Sequence, residues 1–277
     1  MSKKIIFQSG LPRACSTLLC NVLAQNPNIK GGETSPLLEF LYGARANYST
    51  VPEVKSALTE DIMHKSFLNF CRQGINGYAE IMAGDSAGIY LDKSRGWIYY
   101  SELLKEFYPD AKIIVMVRDI RAILSSFEKK WRDNPSILDN RDKPNEQQFI
   151  TVDNRCDHWL GEPPLGISLQ RLRNAIQTKT IDNMLVVKAE DLCKNPKSAM
   201  QKVYDFIGEP YYDLDYSNIK QMTVENDRTD SFGIYGDHKI HPNIQPLKKD
   251  WDDLLGTAIS NNIKANYKWF YEAFNYF

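Results

Sequence analysis

Residues 8–23 read QSGLPRACSTLLCNVL and follow the apolar run Ile5-Ile6-Phe7. The pattern predicts a short strand, a turn rich in Gly, Pro and Ser, and a helix with apolar positions at Leu18, Leu19, Val22 and Leu23. Strand, turn and helix in that order form a phosphate-holding device, because the free N–H groups of the helix N-terminus point into the turn. Laid from Gly10, the Walker A pattern GxxxxGK[ST] requires Gly at 15 and Lys at 16, where this chain has Cys15 and Ser16 before Thr17. The lysine that would meet β and γ phosphates is absent. What remains is a nest of backbone N–H groups, the fixed cation Arg13, and the hydroxyls of Ser16 and Thr17. Such a set suits a terminal anion better than a metal-bridged triphosphate. A plain strand-to-helix turn capped by Ser16 is the alternative this stretch leaves open by itself.

Further apolar runs at Gly88–Leu91, Ile113–Val117 and Met184–Val187 predict buried strands, and helical patterns at Trp97–Phe107, Ala122–Trp131 and Pro196–Ile207 separate them. Alternation of this kind predicts an α/β fold, a three-layer α/β/α arrangement whose central sheet is parallel and carries a P-loop-like turn. Ligands in such folds sit beyond the carboxyl ends of the strands. Two stretches break the alternation. Residues 36–83 read as a helical insertion, and 134–150, polar and Pro-containing, as a long loop assigned to acceptor recognition.

With 277 residues, 43% of them hydrophobic, the chain can bury the core of one α/β domain spanning 1–277. A formal net charge of −1 exerts no global pull toward nucleic acid or anionic lipid, so an anion site must be built locally. The five cysteines are scattered, odd in number and without a CxxC pair, which argues against a disulfide framework and a zinc knuckle. No run approaches the roughly 18 apolar residues of a membrane span, and the start MSKKIIFQSG lacks a signal-peptide core. The expectation is a cytoplasmic protein with reduced thiols.

The predicted strand Ile113–Val117 runs directly into Arg118-Asp119-Ile120-Arg121, and Ser126 follows eight residues after Arg118. Arg118 at a strand tip and Ser126 in the next helix can meet at one anion. The competing reading is an Arg118–Asp119 ion pair with Ser126 on a helix surface. Tyr267, Phe270, Tyr271 and Phe274 recur at helical spacing and predict a packed helix face rather than a ligand platform, while Arg171 and Arg173 read as a solvated face.

These residues resemble the sulfotransferases that use 3′-phosphoadenosine 5′-phosphosulfate (PAPS), particularly the branch that includes the tyrosylprotein sulfotransferases. Leu11-Pro12-Arg13-Ala14-Cys15-Ser16-Thr17-Leu18 is similar to the family's cradle for the 5′-phosphosulfate, and Val117–Ser126 to its VRDxRxxxxS element, whose Arg and Ser hold the 3′-phosphate. The resemblance implies that Arg13 contacts the 5′-phosphosulfate and shares in stabilising the transition state, that Lys93 in Leu91-Asp92-Lys93-Ser94 faces the reacting sulfuryl group, and that Glu33 in Gly31-Gly32-Glu33-Thr34 is the catalytic base. Cys15 stands where the family has Gly, and Ala189 where its "YEDL" segment has an aromatic residue. The interval from Arg13 to Glu33 is about one residue shorter than in the tyrosylprotein branch.

Sulfuryl transfer moves a weakly charged group in line, so fixed cations and a carboxylate base suffice without a metal. The implied reaction carries the sulfuryl group from PAPS to the hydroxyl or amine of an unidentified acceptor. Among the four histidines, His64 and His158 fall in helical patterns. His238 and His241 lie in the glycine-bearing stretch 233–242, where His238 or Lys239 is expected to close over the nucleotide. HxxH alone is a weak metal signal, and no metal is assigned. A P-loop kinase using Mg-ATP and a non-catalytic nucleotide-binding protein are the alternative functions. For Glu33 a solvated carboxylate, and for Lys93 an ion pair with Asp92, are the alternative local readings.

Overall fold

A computed structural model describes residues 3–57, 59–133, 150–225, 227 and 237–276. Ile5, Ile6 and Phe7 lie in β1 (Lys4–Gly10), which leads through the turn into α1 (Ser16–Leu23). Next come β2 (Ile29–Thr34), the helices α2 (Leu37–Thr50), α3 (Pro52–Ala57) and α4 (Glu60–Ala83), and β3 (Ile89–Lys93). The chain continues through α5 (Ser101–Phe107), β4 (Lys112–Val117) and α6 (Ile120–Asp133). After it lie α7 (Val152–Gly161), α8 (Leu165–Gln177), β5 (Leu185–Lys188), α9 (Ala189–Lys194) and α10 (Pro196–Ile207). Three short helices, α11 (Trp251–Leu255), α12 (Thr257–Asn266) and α13 (Lys268–Ala273), close the order.

The five strands form one parallel sheet in the order β2-β3-β1-β4-β5. Parallel strands covered on both faces are apolar throughout, and β3 and β4 are buried along nearly their whole length. β1 is central, with β3 on one side and β4 on the other. The α1 connection leaves β1 for the β2 edge, and the later strands return past β1 to the opposite edge. The turn after β1 therefore lies at the switch point, where an open α/β sheet receives its ligand.

The core gathers residues from Ile6 to Phe274 into one hydrophobic cluster, so the carboxyl-terminal helices share it. They dock onto the tip of β4. Asp119 accepts from Tyr271 Oη at 2.9 Å and pairs with Arg121 at 2.6 Å, and Arg121 lies 4.3 Å from the ring centre of Trp251. Phe270, Tyr271 and Phe274 are buried as the periodicity predicts.

Two expectations shift. The helix read at Trp97–Phe107 starts only at Ser101, because Trp97 turns inward to pack edge-to-face on Phe7, ring centres 4.8 Å apart, and to donate its indole N–H to Asp92 Oδ1 at 2.6 Å. β2 was not foreseen. Its sequence IKGGET lacks alternation, and Gly31 and Gly32 take φ of +102° and +97°, where the ladder with β3 slips between Gly31 and Thr34. The loop expected at 134–150 lies, up to residue 149, outside the described residues.

Candidate functional site

β1 ends at Gly10, whose φ is +135° and where a Cβ would stand 2.1 Å from the Met116 carbonyl oxygen. Only glycine lets this tip lie against β4, and Leu11 N–H seals the contact by donating to Met116 O at 2.9 Å. Beyond it, Arg13 and Cys15 adopt left-handed φ of 58° and 62°. Non-glycine residues in this region cost roughly 1–2 kcal/mol each, strain of the kind that clusters at ligand sites. Cys15, not Ser16, is the N-cap of α1, and it makes no side-chain cap bond. The first N–H groups of the helix thus lack a capping side chain and face the turn, as an anion cradle requires.

Arg118 and Ser126 both converge on this loop. Arg118 Nη1 donates to the carbonyl oxygen of Arg13 at 2.8 Å, and the Arg13 side chain reaches back to donate from Nε to Ser126 Oγ at 3.1 Å. Arg118 makes no ion pair with Asp119, which is committed to Arg121. Its Nε is buried without a hydrogen-bond partner among the described residues, a debt that an anion would settle. Burial lowers the Arg13 pKa, and nearby Arg118 adds to the effect while Asp237 opposes it. Asp237 Oδ2, 4.0 Å from Arg13 Nη2, is the carboxylate that partners this guanidinium.

The resemblance implies that Arg13 serves the 5′ end of a nucleotide. In the structure its guanidinium donates to Ser126 Oγ and to the carbonyl oxygen of Asp237, at 3.1 Å each. At the other end of the turn stands Lys93, on the last residue of β3 and buried. Its Nζ lies 3.4 Å from Thr17 Oγ1 and 2.5 Å from Glu225 Oε1. Asp92, its neighbour in sequence, points to the opposite face and is bonded by Trp97 instead, so the Lys93–Asp92 pair does not form.

Glu33 stands half-buried near the end of β2, beside Thr34, which is in register with Lys93 across β3. Gly32 makes this approach possible, since a Cβ there would come within 2.6 Å of Cys20 Cβ. Ala14 is fully buried against the core. Cys15 hydrogen-bonds the thiol of Cys193 in α9, and this bond, aided by Arg118 and Arg13, lowers the Cys15 pKa against the effect of burial.

The loop after β1 and the tips of β3 and β4 border a cavity of about 800 Å³, within the range of small-molecule sites, whose lining includes neither Glu33 nor Ala14 nor Ser126. Its walls include Arg13, Cys15, Ser16, Thr17, Lys93 and Arg118, and residues from Asp237 to Lys248 form the far side. His238 and the exposed Lys239 both line it. Asp237 fastens that far side to α6 through Lys130 Nζ at 2.6 Å.

Sequence reasoning missed the segment that roofs β2 and β3. Asn21 of α1, fully buried, accepts from the N–H groups of Met222 and Thr223 at 2.5 and 3.0 Å and donates to Thr223 Oγ1 at 2.9 Å. That anchor delivers Glu225 to Lys93. No periodicity or spacing in residues 221–227 signals the contact.

Comparison with known proteins agrees with this geometry. A family model described as Sulfotransferase family matches residues 6–213. The chain is similar to protein-tyrosine sulfotransferase A of Caenorhabditis elegans, at 22% identity over 213 residues, covering 75% of this chain and 50% of that protein. It thus spans about half the length of that relative. In fold it is similar to the sulfotransferase domain from the Synechococcus PCC 7002 olefin synthase, with 20% identity, a TM-score of 0.51, and 96% and 95% of the two chains covered. The sulfotransferase domain from the curacin biosynthetic pathway matches at 16% identity and a TM-score of 0.53, over 97% of this chain and 98% of that one. A sheet with its anion loop at the switch point, and a family match over three quarters of the sequence, lead to one conclusion: the chain belongs to the sulfotransferase family.

Proposed function

We propose that this protein transfers a sulfuryl group from PAPS to a hydroxyl or amine acceptor by in-line displacement, without a metal. The observation that carries the reading is one cavity lined by Arg13 and Arg118 at one end of the loop after β1 and by Lys93 and Thr17 at the other, with Ser126 bonded to Arg13 behind the wall. A nucleotide with a phosphate at each end matches two cationic groups held apart by a backbone nest.

In this reading Arg118, Ser126 and the Arg13 guanidinium hold the 3′-phosphate, and the N–H groups of residues 14–17 with the Ser16 and Thr17 hydroxyls hold the 5′ end. The bound donor supplies the sulfuryl group. Glu33 takes the proton of the acceptor as the new S–O bond forms, and Lys93 neutralises the phosphate oxygen as the old S–O bond breaks. Lys239, with His238, closes the cavity over the nucleotide. The geometry argues for moving the Arg13 side chain from the 5′ end to the 3′ end, since it bonds Ser126.

Calorimetric titration with adenosine 3′,5′-bisphosphate tests the donor assignment. Tight binding is expected, and tighter binding of Mg-ATP would replace the reading with a kinase. A labelled-sulfate screen then follows over tyrosyl peptides, carbohydrates, lipids and small metabolites, with tyrosyl peptides first because of the relative's name. A cytoplasmic location belongs to the same proposal, supported by five free cysteines, and cell fractionation tests it.

A further inference from the structure

We propose that Glu225 is a positioning residue for Lys93, held to that task by Thr34 and by a His238–Asp227 pair. The inference rests on the reading of Lys93 as the cation of the transfer end.

Four observations carry it. The Lys93 and Glu225 side chains are only 7% and 9% exposed and meet at 2.5 Å, so this is a buried ion pair. Burying two charges costs several kcal/mol per ion unless further bonds compensate, so a pair in this place demands an explanation. The compensation is present: Glu225 Oε2 accepts from Thr34 Oγ1 at 2.7 Å and faces His238 Nε2 at 3.1 Å. His238 is aimed in turn by Asp227, whose Oδ1 lies 2.5 Å from Nδ1 and whose Oδ2 accepts from the His238 backbone N–H at 3.3 Å.

The placement distinguishes positioning from blockade. Lys93, Thr34 and His238 all line the cavity, whereas Glu225 does not. The carboxylate sits behind the ammonium rather than in front of it. An ammonium has three N–H donors: one goes to Glu225, a second is within reach of Thr17 Oγ1, and the third is left for the cavity that Lys93 lines. A lysine on a flexible four-carbon stem would otherwise sample many rotamers. Fixed on two sides, its remaining donor is aimed at the place where a leaving oxygen acquires charge. Electrostatic assistance of this kind is effective because the donor needs no reorientation during the reaction.

The chain of contacts also ties the transfer end to the far wall. His238 lies on the stretch that lines the cavity from Asp237 to Lys248, so a ligand that shifts this stretch also shifts the group that holds Glu225.

The test uses the full chain in three variants, Glu225→Gln, Thr34→Val and His238→Ala. Trace acetylation with isotope-labelled acetic anhydride, read on the Lys93 peptide against Lys30 in the same digest, reports the freedom of the Lys93 amine without any donor. Turnover and calorimetric binding of adenosine 3′,5′-bisphosphate are measured in parallel. In Glu225→Gln, Lys93 acetylation is expected to rise several-fold and kcat to fall about 10- to 100-fold, the usual cost of losing an outer-shell partner. The dissociation constant for the bisphosphate stays within about twofold. Thr34→Val and His238→Ala produce smaller changes in the same direction and keep the test open if Glu225→Gln fails to fold. Unchanged Lys93 acetylation, or unchanged kcat despite faster acetylation, overturns the proposal. If the unsubstituted protein binds no bisphosphate, the donor reading fails, and the acetylation arm still decides whether Glu225 restrains Lys93.

Discussion

Arg118 Nη1 donates to the Arg13 carbonyl oxygen across 2.8 Å, so the tip of β4 grips the loop that leaves β1. Arg118 thereby has two tasks. It shapes the cradle and, through its unpartnered Nε, offers a donor to whatever the cradle holds.

Arg118→Ala should weaken binding of adenosine 3′,5′-bisphosphate by about 10- to 100-fold, the equivalent of losing one charged hydrogen bond of roughly 1.5–3 kcal/mol. Calorimetry measures it. Arg118→Lys, which keeps the charge but not the planar fork, should recover only part of the loss.

Glu33→Gln should leave bisphosphate affinity nearly intact and slow turnover by about 10²- to 10⁴-fold, the usual contribution of a general base. Steady-state kinetics alongside calorimetry separates the two quantities. Equal loss of binding in the Glu33 and Arg118 variants would contradict the division of roles.

Cys15 is expected to be the reactive thiol. Its pKa is lowered by the hydrogen bond with Cys193 and by Arg118 and Arg13, whereas burial pushes Cys20 and Cys156 up to about 12. A lowered value means that thiolate is already present near neutral pH, so alkylation by iodoacetamide should proceed there and slow as the pH falls. Peptide mapping should find the label at Cys15, with protection by bound bisphosphate.

Glu128 is buried between Arg155 and Arg132, at 2.6 and 2.7 Å. Burial raises its pKa, but the hydrogen bonds from Arg155 and Arg132 outweigh that and leave it lowered. A lowered folded value means the stabilisation is fully present above the unfolded value of about 4.3 and is lost as pH falls through the folded one. Arg155→Met removes the better-buried partner and should cost about 3–5 kcal/mol at neutral pH in denaturant unfolding. The variant should also lose less on further acidification than the parent does.

Gly10→Ala should destabilise the fold or distort the anion loop, because the added methyl meets the Met116 carbonyl at 2.1 Å with no flexible side chain to move aside. A fall in Tm with coincident loss of bisphosphate binding is the expected result.

The site's two halves differed in how far they could be read from residues alone. The loop from Gly10 to Thr17 and the run from Ile113 to Ser126 are contiguous in sequence, and each carries its own local signal: an apolar strand, a break, a helix, and a cation at the break. Lys93 follows the same rule at the end of β3. Glu33 was harder, since it stands on a strand whose two glycines hide the alternation. Glu225, Asp227 and Asn21 had no such signal. Glu225 and Asn21 act through contacts 132 and 202 residues apart along the chain, and Asp227 through His238, 11 residues on, in a segment without regular structure.

The amino-acid order alone determined the alternation of strands and helices, the anion-holding turn and the cations at the strand tips, because each depends on propensity and spacing over a dozen residues. Tertiary packing decided where those cations point. It turned Arg13 toward Ser126, kept Lys93 from Asp92 and brought Glu225 against it, because the partner of a buried charge is set by whichever opposite group the folded chain carries into the same low-dielectric space.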